Sequence, residues 1–269
     1  MRTLATALAM AVALTAAGCG PGGSSSVAGR SSLVVGVKAD QPGLGLEDAQ
    51  GNFAGFDVDV ARYVAGKLGA NQITFKAITS AQRESLLQRG IVDMVVATYS
   101  ITPQRETLVT FAGPYYVAHQ DTLVPAAETD VHTVHDLASR RICAVTGSTS
   151  AQRITVALGI PARPVPAASY SDCISKLAAG SLDAVSTDDL ILAGFAASRK
   201  GTMRLLNAPL SDERYGVGLR KGDVDGCEAV NRAITAMYQD GTAQKLLVKW
   251  FASTGLELTT AVPQFEGCS

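Results

Sequence analysis

Hydrophobic residues recur along this chain in two alternating rhythms. Leu33-Val-Val-Gly-Val37 is a short apolar run of strand character, and 56–68 repeats apolar positions at helical spacing. Asp57 and Asp59 fall in the first turn of that helix, where its dipole favours acids. Residues 73–78 read as a second strand, 80–88 as a helix ended by Gly90, and 92–96 as a third strand. The alternation resumes with a strand at 142–145, a helix from Ser148, a helix over 171–179, a strand at 184–185 and a helix after Asp188. Strands at 203–206 and 216–219, then helices over 226–239 and 242–252, close the series. Such alternation predicts an α/β fold with helices layered on largely parallel sheets. Two clusters of it, joined through 112–125 and 207–216, predict two lobes connected by two crossing strands.

Residues 1–19 follow neither rhythm. Arg2, a short alanine-rich apolar run over 4–17 and the small-residue site Ala16-Ala17-Gly18-Cys19 read as a secretory signal, too short for a membrane span. A cysteine directly after small residues is the bacterial lipobox pattern, so residues 1–18 are expected to be removed and Cys19 acylated as the new N-terminus. Ala16 stands where lipoboxes usually carry Leu. The Gly- and Ser-rich stretch that follows makes 19–31 a flexible tether. The body is then 32–115 with 213–269 as lobe 1 and 116–212 as lobe 2, with hinge segments at the ends of the latter. This arrangement predicts an extracytoplasmic protein, lipid-anchored to the outer face of the plasma membrane and monomeric.

Cysteine usage agrees with export. Setting Cys19 aside leaves Cys143, Cys173, Cys227 and Cys268, an even set suited to an oxidising compartment. Of the three possible pairings, Cys143–Cys173 with Cys227–Cys268 keeps each bridge within one lobe. Metal ligation is the rival, but there is no C-x-x-C, and His132 and His135 lie on a polar segment that reads as a solvated helix face. Charge excludes further classes: 23 Lys+Arg against 24 Asp+Glu gives none of the basic excess that nucleic-acid binding requires. No phosphate-binding loop, nucleophile elbow, zincin helix or dinucleotide fingerprint is present, so neither an enzyme nor a cofactor is indicated. The acid pair Asp188-Asp189 has no identifiable acid–base partner. Polar residues stand instead at strand ends, where open α/β sheets bind ligands.

Seven motifs occur in order: Asp40-Gln-Pro42, Gly55-Phe-Asp-Val-Asp59, the run from Val92 to Arg105, Pro114-Tyr-Tyr116, Gly147-Ser-Thr149, Asp183-Ala-Val-Ser-Thr-Asp188 and Tyr215-Gly-Val-Gly218. The series spans about residues 32–252 and resembles the polar-amino-acid solute-binding proteins of ABC importers, the family-3 extracellular binding proteins. Lys38-Ala-Asp-Gln-Pro-Gly-Leu-Gly-Leu46, Thr79-Ser-Ala-Gln-Arg-Glu84 and the Cys143/Cys173 pair are similar to actinobacterial glutamate-binding lipoproteins. The resemblance implies a periplasmic-binding-protein-like fold of type II, whose two α/β lobes close on a two-strand hinge over one amino acid, and an ABC permease as partner.

A free amino acid presents a carboxylate, an ammonium and a side chain, each needing a complement. Arg105, just past Thr102-Pro103, suits the carboxylate because guanidinium offers two parallel N–H bonds. Thr98 by its carbonyl and Ser100 by its hydroxyl join it, and Ser148 and Thr149 stand where helix N–H groups meet an anion. Helix capping by Ser148 or Ser150 is the alternative there. Asp188 is expected to take the ammonium, a contact that the family resemblance also implies. Lys38, Ser80 and Arg83 favour an acidic side chain, glutamate first, then aspartate and glutamine. Tyr170 is a further hydroxyl implied by related proteins, and Leu44 stands where many members place an aromatic. An amino-acid sensor for a membrane signalling partner would carry the same site; loss of uptake on deletion identifies the transporter. Cyclohexadienyl dehydratase-like enzymes share the fold, and consumption of prephenate or arogenate would identify one.

Overall fold

The computed structural model describes residues 26–268, which form two α/β lobes around a shared mixed sheet. Lobe 1 opens with β1 (Ser32–Val37), a small flap of β2 (Asp40–Gln41), β3 (Gly45–Glu47) and β4 (Phe53–Ala54), helix α1 (Phe56–Lys67) and β5 (Gln72–Ala77). Helix α2 (Arg83–Gln88), β6 (Met94–Val95) and the single turn α3 (Pro103–Glu106) follow. The long strand β7 (Val109–Pro125) carries the chain into lobe 2. There it forms β8 (Arg141–Val145), the turn α4 (Ser150–Gln152), β9 (Arg163–Ala167), α5 (Tyr170–Ala178), β10 (Val185–Asp188), α6 (Asp189–Ser198) and β11 (Met203–Leu205). Strand β12 (Ser211–Arg220) returns to lobe 1, where α7 (Val224–Gln239) and α8 (Thr242–Phe251) complete the helices.

The sheet order is β10-β7-β12-β6-β1-β5, with β11 also paired to β7. Only part of it is parallel. β1 runs parallel to β5 and β6, but β12 is antiparallel to both β6 and β7; β8 and β9 form a separate parallel pair. The expectation of largely parallel sheets therefore fails at the centre, because two strands that carry the chain out to a lobe and back must run in opposite directions. The β7–β12 ladder from Ser211↔Gln120 to Arg220↔Val109 is the two-strand hinge, with its bulge beside Tyr215. A bulge breaks the ladder locally and bends the strand, which suits a pivot.

Helical spacing works as expected in α1, which buries Phe56, Val60, Ala61, Val64 and Ala65 on one stripe. Phe56 then meets Tyr115 of the hinge strand and Phe251 of α8 at ring-centroid distances of 6.1 and 6.2 Å, tying the start, middle and end of the chain together. Lobe 2 has its own cluster of Val124, Val131, Leu137, Ile142, Ile154 and Ala184. Both preferred disulfides are formed, Cys143–Cys173 and Cys227–Cys268, with Cα separations of 5.7 and 5.8 Å, inside the normal range.

Three local expectations are corrected. The strand expected over 92–96 pairs only at Met94–Val95, because the chain turns away to build the cleft edge. The helix expected from Ser148 begins at Ser150 and passes at once into a π-turn, Arg153–Ala157. The end of the expected tether is docked: Val27 is buried and donates its N–H to Asp223 Oδ2 at 3.0 Å, while Arg30 pairs with Asp93. His132 and His135 are exposed on either side of Val134. The signal over 1–18, Cys19 and the tether up to residue 25 lie outside the described residues. No helix among the described residues is long and apolar enough to cross a membrane.

Candidate functional site

Strand ends of both lobes converge on one cleft. From lobe 1 come Lys38 at the end of β1, Ser80 in the 3₁₀ turn after β5, Arg83 at the start of α2, and Thr98, Ser100 and Arg105 beyond β6. Lobe 2 supplies Ser148 and Thr149 after β8, Tyr170 opening α5 and Asp188 closing β10. Nine of these ten line one small polar compartment, together with Ser150, Thr187 and Ile191. The tenth, Lys38, lines an adjoining cavity of about 230 Å³ with Asp40, Gln41 and Thr79. Ser80 and Tyr170 line both, so the two spaces adjoin.

Arg105 is positioned by local chemistry. Thr102 caps α3 by accepting from the Arg105 N–H, and Pro103 sits at the first helical position, where its missing N–H costs nothing. The guanidinium is buried; Nη1 donates to Ser100 O at 2.7 Å and Nη2 to Gly147 O at 3.0 Å. One N–H on each terminal nitrogen is left for a carboxylate to accept. Glu84 Oε1 lies 3.6 Å from Nε and also accepts from Tyr99 OH, over whose ring the guanidinium packs.

Arg83 behaves differently from the expected side-chain cation. Its Nε donates to Ser80 O, Nη1 to Ala97 O and Thr98 O, and Nη2 to Gly147 O. Nearly all its donors are satisfied by backbone carbonyls, so it stiffens the cleft wall and does not line the cavity around Lys38. The carbonyl expected of Thr98 is thus directed at Arg83. Thr98 has a positive φ of 44°, a strained conformation for a β-branched residue. Buried Asp57 compensates by accepting from Thr98 N–H at 2.8 Å and Tyr115 OH at 2.7 Å. Burial lifts the Asp57 carboxyl to about 6 against these hydrogen bonds. Its position in the first turn of α1 suggested a dipole contact; its work is to hold the strand end of the site.

Lys38 is buried and donates to Ser80 Oγ at 2.7 Å. Desolvation and then the Arg83 charge push its ammonium well below the usual lysine range, with Asp40 and Asp57 opposing them. On the other lobe, Tyr170 OH lies 2.7 Å from Ser148 Oγ and 3.1 Å from Ser150 Oγ, and Ser150 donates to Thr187. Asp188 accepts from Tyr215 OH at 2.6 Å. Burial, and then the nearby Glu213 charge, raise the Asp188 carboxyl to about 8. An ammonium placed against Asp188 would reverse that shift.

Sequence reasoning missed Tyr215, Ser150 and Thr187 as site residues, although two of them lie within the quoted motifs. Leu44 is fully buried in the core and lines neither space. Among the described residues no group of three or more His, Cys, Asp or Glu is placed to hold a metal ion.

The lobes also touch directly. Asp40 Oδ2, beside the Lys38 cavity that Asp40 helps to line, accepts from Ser171 N–H and Oγ at 3.2 and 2.9 Å. With the two arginine bonds to Gly147 O, these contacts hold lobe 1 against lobe 2.

The model of the bacterial extracellular solute-binding proteins, family 3, matches residues 33–253. The glutamate-binding protein GluB of Corynebacterium glutamicum is 41% identical over 260 residues, covering 91% of this chain and 87% of the relative. The ABC transporter glutamine-binding protein GlnH of Bacillus subtilis is 32% identical, with 92% and 96% covered. A solved structure of an ancestral arginine-binding protein bound to arginine superposes with a TM-score of 0.76 at 31% identity, covering 83% of this chain and 99% of that one.

Proposed function

The chain belongs to the bacterial extracellular solute-binding proteins, family 3, and from that premise we propose that it is the lipid-anchored binding component of an ABC importer for an acidic L-amino acid, glutamate before aspartate and glutamine. The observation that carries the ligand choice is Lys38: a buried ammonium lining a cavity that adjoins the polar compartment. A buried cation is costly unless a counter-charge meets it, and the γ-carboxylate of glutamate supplies one where the amide of glutamine does not. The name of the corynebacterial relative supports the same ligand.

In this reading Arg105 takes the α-carboxylate, with Ser100 and Thr149 beside it, and Asp188 takes the ammonium. Lys38 and Ser80 take the side-chain carboxylate. Residues of lobe 1 meet the ligand first, and Asp188, Thr149 and Tyr170 add their contacts as lobe 2 swings in. Only the closed form makes both sets, so ligand shifts the hinge equilibrium toward closure by its extra affinity for that form. An acyl chain on Cys19 would leave a short spacer before the chain docks at Val27, keeping the cleft near a membrane permease.

Lys38→Met keeps the stem and removes the charge. Titration calorimetry should show glutamate weakened about 100-fold and glutamine less than about 10-fold, as expected when one buried charge pair is lost. Equal losses for both ligands would remove the charged-pocket reading.

A further inference from the structure

Resting on the assignment of Asp188 to the ligand ammonium, we propose that the Arg153–Glu213 ion pair governs that subsite, with Arg153 a positioning residue that sets the charge around Asp188 without touching the ligand. Arg153 stands four residues after Thr149, where the chain leaves α4 for the π-turn. Single π-turns re-aim side chains and are frequent at functional sites. This one sends Arg153 Nη2 to within 2.8 Å of Glu213 Oε1 on the hinge strand β12. The Glu213 side chain is only 4% exposed, and Ser211 Oγ also donates to it.

Glu213 lies two residues before Tyr215 on the same strand, so both side chains project from one face of the hinge. Tyr215 holds Asp188. Gln120 closes the arrangement: it is the register partner of both Asp188 and Ser211, and its Nε2 donates to Ser150 O at 3.0 Å. The binding turn of lobe 2 is therefore pinned to the hinge at two points, one neutral and one ionic, and the ionic one ends beside the ammonium subsite.

The charges around Asp188 can be enumerated. Glu213 and Tyr215 face it from β12, Tyr170 from α5 and Arg105 from α3; Asp189 adjoins it and meets His119 of β7 on its far side. After burial, Glu213 contributes most to raising the Asp188 carboxyl. Arg153 is the cation bonded to Glu213, so it offsets that repulsion. An ammonium needs Asp188 ionised. A raised carboxyl must lose its proton on binding, and affinity should climb with pH until the carboxyl of the free protein has titrated.

The test is calorimetric titration of L-glutamate into the full-length protein from about pH 5 to about pH 9, in buffers of two ionisation enthalpies to count protons released. Arg153→Gln should bind about three- to tenfold more weakly at pH 7, equivalent to moving the Asp188 midpoint up by half to one pH unit, and recover at high pH. Glu213→Gln should bind more tightly at pH 7 and release fewer protons. The double variant should fall between the two single variants at pH 7, because the two charges act on Asp188 in opposite senses. An Arg153→Gln loss that is equal at every pH, or no loss at all, overturns the proposal. Asp188→Asn separates the two levels. If it binds like wild type, the ammonium assignment falls with the proposal; if it abolishes binding while the Arg153 variant keeps the wild-type pH profile, only the role of Arg153 falls.

Discussion

Arg105→Ala should lower amino-acid affinity by about a hundred- to several-thousand-fold, the equivalent of 3–5 kcal/mol for stranding a buried charge without its partner. The guanidinium is buried between Ser100 O and Gly147 O, so the α-carboxylate of a bound amino acid would meet fixed N–H donors and little water. Truncation removes those donors and also a cation whose field lowers the Asp188 carboxyl. Both ends of the amino-acid head group are therefore weakened by one substitution. Arg105→Lys separates charge from geometry, since a single ammonium supplies a point charge without two parallel donors. It should recover part of the affinity. Calorimetry with glutamate reads both variants, and thermal unfolding with thiol quantitation checks that the fold and both disulfides persist. Affinity within tenfold of wild type for Arg105→Ala would sink the carboxylate assignment.

The strand-end positions of the site were legible because each belongs to an ordered motif and each needs a chemistry that few side chains provide. Arg105 and Asp188 illustrate this: one past a capped Thr-Pro turn, the other ending an apolar strand before a helix. What escaped was direction. Arg83 reads as a free cation, but its donors are claimed by the carbonyls of Ser80, Ala97, Thr98 and Gly147, and the left-handed conformation of Thr98 among them is one for which a threonine gives no hint. Tyr215 looks like an ordinary apolar position of a hinge strand, and only the register of β12 beside β7 and β10 brings its hydroxyl to Asp188. Strand polarity was hidden for a related reason. β7 is buried along almost its whole length, so its apolar pattern is compatible with either orientation, and the need to return to lobe 1 decides it. Docking of Val27 escaped because a Gly/Ser-rich composition reports flexibility on average, while one buried apolar side chain and one N–H bond to a helix cap suffice to hold a segment.

Gly194→Ala should weaken ligand binding roughly tenfold to a hundredfold, although the residue touches neither space of the site. Gly194 lies in α6 of lobe 2, and a β-carbon there would stand 2.0 Å from Pro42 O and 3.1 Å from Pro42 C in lobe 1. These are backbone atoms, so no rotamer change relieves the overlap, and the lobes must move apart. Overpacking of this kind costs about 1–3 kcal/mol. Here the cost falls on the closed form alone, because Pro42 and Gly194 belong to different lobes. Separation also loosens the Asp40–Ser171 bonds and the arginine bonds to Gly147 O. Within lobe 2 the same change replaces glycine by the best helix former, worth about 1 kcal/mol in favour of α6. The fold should therefore be as stable as wild type or more so, while binding weakens, with the loss mainly in a faster dissociation rate. Gly147 also makes a close cross-lobe approach, 2.5 Å from a β-carbon to Ala81 N, but its φ of +82° would strain any side chain and confound the result. Gly194 is free of that objection. Stopped-flow dissociation and small-angle scattering with saturating glutamate should show a faster off-rate and a more open liganded envelope. Wild-type affinity in a folded Gly194→Ala protein would mean that the ligand is held without the close approach of α6 to Pro42, and clamp closure would lose its geometric basis.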